Sequence, residues 1–199
     1  MNNSSSDNLH ISTELILASL YGQLETVKEI VQSSDIDVNL CIDICKMNPL
    51  IAAAKNGNLD IVKYLLTSSD LKNPINIHAT DIDGWDALIN ACKYEHLEVV
   101  KYLLTSNEIK ENSNLYVKVP NYQNIFIMSL YFKKYNIVDF LLFDMNMKID
   151  EKTLTWLEGK NRKKEVYNEI IEKIQIRDFK NTLDLNLQPK TLPIKKRKI

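Results

Sequence analysis

Three histidines and three cysteines are the side chains of this 199-residue chain best suited to nucleophilic, acid–base or metal chemistry. A nucleophile needs a base within hydrogen-bond reach, and a closed zinc site needs four donors. Cys41 and Cys45 make one closely spaced pair, but no second pair follows. Cys92 sits in an apolar helical pattern and reads as a small hydrophobe. His10, His78 and His96 fall far apart in the repeat register described below. The four glycines are isolated, so no glycine-rich loop can cradle a phosphate. Acidic residues are numerous but scattered. The expectation is therefore no catalytic residue, no metal ligand set, no cofactor, and a chain that is not an enzyme.

Three cysteines cannot all pair, and residues 1–7 are polar without the apolar core of a signal peptide. Apolar stretches such as residues 137–143 are broken by Asp139 and fall well short of a bilayer span. These features lead us to expect a reducing, intracellular and cytoplasmic setting with no membrane contact. Hydrophobic residues make up 45% and charged residues 26%, while only 4 Gly and 5 Pro occur. So few turn residues favour helices over a sandwich or barrel. The formal charge is −1, yet Lys190, Lys195, Lys196, Arg197 and Lys198 place +5 within residues 188–199, leaving −6 on the other 187. The body is mildly acidic, so nucleic acid is not an expected partner except through that tail.

What must position any functional side chain is a repeat. Residues 63–68, Lys-Tyr-Leu-Leu-Thr-Ser, recur letter for letter at 101–106, and residues 58–62 answer to 96–100. Weaker copies lie on either side, with corresponding starts at Thr13, Asn48, Asp86 and Asn124, spaced 35, 38 and 38 residues apart. Each copy reads as two short helices, with apolar positions such as Leu50, Ile51, Ala53 and Ala54 in the first and Ile61, Val62, Leu65 and Leu66 in the second. Neither helix is long enough to persist alone, so stability must come from stacking copy on copy. Ala18, Ala53, Ala91 and Ser129 share one position, as close packing of neighbouring first helices requires.

These residues resemble the ankyrin repeat. Asn48-Pro49-Leu50-Ile51, Ala53-Ala54, Gly57-Asn58, Asp60-Ile61-Val62 and Leu65-Leu66 follow that family's pattern, and Leu88, Ala91, His96, Glu98 and Leu103-Leu104 repeat it. The segment 77–84 resembles the family's hairpin. His96 takes the family's turn histidine position and so is expected to be structural, whereas the usual first-helix histidine is isoleucine in all four copies: Ile16, Ile51, Ile89 and Ile127. The copies are longer than usual, with the additions at 68–74 and 106–112. The resemblance implies an all-α solenoid of stacked helix-turn-helix units: a flexible 1–11, repeats at about 12–47, 48–85, 86–123 and 124–150, a degenerate capping pair at 151–187, and a disordered basic tail at 188–199. Lys160, Arg162, Lys163 and Lys164 would give that cap part of its polar outer face.

Function follows from the same resemblance. Ankyrin proteins usually meet a partner protein with their hairpin tips and the exposed side of the first helices, the concave face. Carried over position by position, that face comprises Tyr21, Met47, Lys55, Asn56, Trp85, Lys93, Tyr94, Tyr131 and Phe132, with Gln123 in register with Trp85. The expected role is a monomeric, non-enzymatic protein-interaction module acting as scaffold, inhibitor or effector. An alternative stays open, in which Lys195, Lys196, Arg197 and Lys198 serve nuclear import or nucleic-acid contact.

Overall fold

The computed structural model describes residues 3–34, 36–41, 45–105, 125–159 and 164–187. Helices alternate with turns throughout, and no strand occurs among the described residues. The chain divides into two compact units, Met1–Val138 and Asp139–Ile199.

In the first unit the helices come in pairs: α1 (Asn3–Leu20) with α2 (Leu24–Ser33), α3 (Pro49–Lys55) with α4 (Leu59–Thr67), α5 (Ala87–Lys93) with α6 (Leu97–Thr105), and α7 (Ile125–Tyr131) with α8 (Tyr135–Asp139). First helices pack in a row, α1 on α3, α3 on α5 and α5 on α7, while α2, α4 and α6 form a second row. The apolar seam predicted by the repeat is continuous. Val27, Val62 and Val100 are fully buried, the equivalent Leu65 and Leu103 are buried beside them, and the four isoleucines Ile16, Ile51, Ile89 and Ile127 are all buried. Leu104 is buried too, but its counterpart Leu66 is only half-buried. Burial of these apolar groups takes the place of the histidine hydrogen bonds.

Short first helices begin where a side chain replaces the missing backbone partner. Asn48 Oδ1 accepts from the Ile51 amide at 2.9 Å, ahead of a proline at the first helical position, and Asp86 Oδ1 accepts from Ile89 at 2.9 Å. They end alike in all four copies. The amides of Gln23, Asn58, His96 and Lys134 donate to the carbonyls of Ala18, Ala53, Ala91 and Ser129 at 2.8–2.9 Å. This closure needs a left-handed residue just before the donor. Gly22 and Gly57 supply it in the first two copies, Glu95 (φ 68°) and Lys133 (φ 58°) in the last two. A residue with a Cβ is strained there, so Lys133→Gly is expected to stabilise the protein by about 1 kcal/mol. A rise in the urea midpoint would show it, and an unchanged or lower midpoint would count against the strain.

Two boundaries differ from expectation. Residues 3–11, expected to be flexible, belong to α1, which is one continuous 18-residue helix. Further along it, Ser12 and Thr13 donate back to the carbonyls of Asn8 and Leu9 at 2.8 Å, which keeps both hydroxyls paired within the helix. Thr13 is thus inside a helix rather than at its start. The fourth copy is divided at residue 138, and the second unit opens with a π-helical turn, Phe140–Asp144. There follow α9 (Glu151–Gly159) and α10 (Lys164–Leu187), and the 24 residues of α10 far exceed a repeat's second helix. α10 packs on α9 and on the π turn. Ile170 and Ile174 are buried, Lys173 pairs with Asp139 at 2.8 Å, and the buried Arg177 guanidinium donates to the Met147 carbonyl. Cap residues Lys160, Arg162 and Lys163, the insertion 106–112, Gln123 and the tail 188–199 lie outside the described residues. No described helix is long and apolar enough to cross a membrane.

Candidate interaction surface

The repeat sets three positions in register at the end of each first helix and after each hairpin. Leu20, Lys55, Lys93 and Tyr131 form one row; Tyr21, Asn56, Tyr94 and Phe132 the next; Met47 and Trp85 the third. From these the structure assembles one connected cluster. Lys93 Nζ sits 3.9 Å above the Trp85 ring centroid and 5.3 Å from that of Tyr94. Phe132 meets Trp85 edge to face at 5.5 Å and Tyr131 at 5.2 Å. Lys55 Nζ lies 5.7 Å from the Tyr94 centroid. Tyr94 (42%) and Tyr131 (56%) are exposed, while Trp85, Phe132, Lys55 and Lys93 are half-buried.

Three expected members stand apart. Met47 is buried, at 6% exposure, and so cannot meet a partner. Its thioether lies 3.9 Å from Lys55 Nζ, the placement that Trp85 has beneath Lys93. A flexible, apolar thioether fits under the lysine stem, whereas the larger indole stays partly outside. Asn56 is exposed but committed, its amide donating to the Leu20 carbonyl at 2.8 Å. Tyr21 is exposed, at 68%, and no ring contact joins it to the cluster among the described residues.

A buried polar network aims the indole. Asp81 Oδ1 accepts from the amides of Asp83 and Trp85 at 3.0 and 2.9 Å, and its Oδ2 accepts from Asn90 Nδ2 at 2.8 Å. Ile82 N donates to the Cys45 carbonyl at 2.9 Å, tying this hairpin to the preceding one. Asn90 was not singled out from the sequence, although it was visible as the one polar residue in register with Ala52.

Turn side chains fasten neighbouring pairs. Asn58 Nδ2 donates to the Leu20 carbonyl at 2.9 Å, and His96 Nε2 pairs with the corresponding Lys55 carbonyl at 3.0 Å. Next in register, Lys134 reaches the Glu95 carboxylate instead, also at 3.0 Å. Histidine at this position is therefore structural.

Among the described residues no three His, Cys, Asp or Glu side chains come together as a metal site would need. Cys41 and Cys45 are exposed, and Cys92 is buried with its thiol pushed up to about 12 by desolvation. At pH 8 a thiol reagent is thus expected to modify two cysteines of the folded protein and the third only on unfolding. Three equally fast thiols would contradict the burial of Cys92.

Comparison with known proteins points to one family. A family model described as ankyrin repeats (3 copies) matches residues 15–115 and, overlapping, 71–153, together more than half of the chain. A curated protein of Rickettsia felis, named as an ankyrin repeat protein, is 34% identical over 62 residues. That match covers 31% of this chain and 27% of the relative.

Proposed function

Because the chain belongs to the ankyrin-repeat family, whose members are generally non-enzymatic protein-binding modules, we propose that the cluster of Lys55, Trp85, Lys93, Tyr94, Tyr131 and Phe132 is its protein-docking surface. The observation that supports this is the contiguity of the cluster: two lysines and four aromatic rings from three successive first-helix ends and one hairpin exit form one partly exposed patch. Such rings bring large apolar area with few rotamers to freeze, and they are over-represented among the few residues that dominate binding energy. The chain acts by holding another protein there, as scaffold, inhibitor or effector. Affinity capture with the wild type and with a Trp85→Ala/Tyr94→Ala double variant tests it. The expected result is a partner retained by the first and lost by the second, with the variant's helical signal intact. Equal capture by both would overturn the proposal.

A further inference from the structure

The charge on this patch is opposite to that of the body. Residues outside the tail sum to −6, yet among the described residues no carboxylate pairs with Lys55 or Lys93. Ion pairs of the first unit instead join Lys28 with Glu25, Lys101 with Glu98, and Lys134 with Glu95. Lys55 and Lys93 instead lie against a thioether and aromatic faces. A ring face attracts an ammonium group, but it accepts no directed hydrogen bond and leaves the outward N–H groups to solvent. Resting on the proposal that this patch docks a protein, we infer that the docked segment is acidic, with carboxylates that complete Lys55 and Lys93 while its apolar side chains cover Tyr94, Tyr131 and Phe132.

Geometry narrows the segment further. Lys55 and Lys93 occupy one position in adjacent copies, so they are separated by roughly the distance between packed helices, about 10 Å. A polyproline-II peptide advances about 3.1 Å per residue with three residues per turn, so carboxylates three residues apart share one face about 9 Å apart and would reach both. Single-stranded nucleic acid also combines negative charge with stacking groups, but it needs open ring faces. Here one face of Trp85 is covered by Lys93 Nζ at 3.9 Å, and Phe132 meets that ring edge to face. The remaining acidic charge of the body opposes a phosphate backbone as well. A peptide carrying only two carboxylates meets less of that repulsion and needs no open ring face.

The test uses the full chain and three labelled peptides sharing one Leu- and Tyr-containing frame, with Glu, Gln or Lys at two positions three residues apart. Fluorescence anisotropy is expected to give the Glu peptide at least about tenfold tighter binding than the Gln peptide, with the preference shrinking at high salt. The Lys peptide should bind weakest. Lys93→Gln should shrink the preference for Glu over Gln, since Lys55 alone then favours a carboxylate, and the Lys55→Gln/Lys93→Gln double variant should erase it. In a Trp156→Phe protein, where Trp85 is the remaining indole, the Glu peptide should also shift the tryptophan emission. Equal binding of Glu and Gln peptides, with emission shifted by both, would overturn the acidic preference and leave the docking surface standing. No shift with any peptide, or tighter binding of an oligothymidine than of the Glu peptide, would overturn the inference outright. The capture experiment then judges the docking surface independently.

Discussion

Gly57→Ala is expected to destabilise the first unit by about 3 kcal/mol, more than the same change at Gly22 or Gly84. Two costs combine. Gly57 has φ 75°, and an L-residue held there loses roughly 1–2 kcal/mol. The new Cβ would also lie 2.4 Å from His96 Nδ1, so the imidazole must move. It cannot do so without giving up its hydrogen bond to the Lys55 carbonyl, worth about 1 kcal/mol. In a chain of this size each kcal/mol lowers the midpoint by roughly 2–4 °C, so thermal unfolding should shift by about 6–12 °C. Gly84→Ala is the control. Its φ is 79°, but nothing lies within 4 Å of the added methyl, so only the backbone cost applies. A His96→Asn background should reduce the Gly57→Ala penalty, because Asn58 plays the same part beside Gly22 with a smaller side chain. Equal losses at Gly57 and Gly84 would show that the imidazole yields freely.

The second large effect falls on binding. Trp85→Ala is expected to weaken partner affinity by about 2 kcal/mol or more, some thirtyfold, since it removes the ring on which Lys93 and Phe132 both rest. Stability should fall by only about 1 kcal/mol, the worth of an edge-to-face aromatic pair beyond its area. Tyr94→Ala separates the quantities better, because that ring is 42% exposed and should cost affinity almost alone. Titration calorimetry beside thermal melts of both variants gives the comparison. A Trp85→Ala protein that melts far lower but still binds at wild-type strength would place the indole in the core and the partner elsewhere.

Much of the architecture was legible because a stacked array writes its packing twice. The identical stretch at 63–68 and 101–106 fixed the register, and the register carried the small row of Ala18, Ala53, Ala91 and Ser129 into the turn closures they form. The same register extends the left-handed turn to Glu95 and Lys133, where the residue type alone gives no sign of it. What escaped was governed by side-chain reach. Position alone made Met47 equivalent to Trp85, and both lie beneath a lysine, but the narrow thioether is buried there whereas the larger indole stays half-exposed. The helical state of residues 3–11 was hidden because their run of Asn, Ser and Asp favours caps and turns over helix interiors. The length of α10 was obscured for a different reason. Its apolar residues lie on no single face, with Ile170 and Ile174 inside and Ile176, Phe179 and Leu183 exposed, so no periodicity marks where it ends.

The fastening of neighbouring copies weakens along the row, from main-chain acceptors taken by Asn58 and His96 to the surface ion pair of Lys134 with Glu95. A solvated pair of that kind holds little and is dulled by salt, so the join between α5 and α7 is expected to be fastened less firmly than the two before it. Trp85 and Phe132 meet across that join. A partner settling on those two rings would splint it, so occupancy and rigidity are expected to rise together.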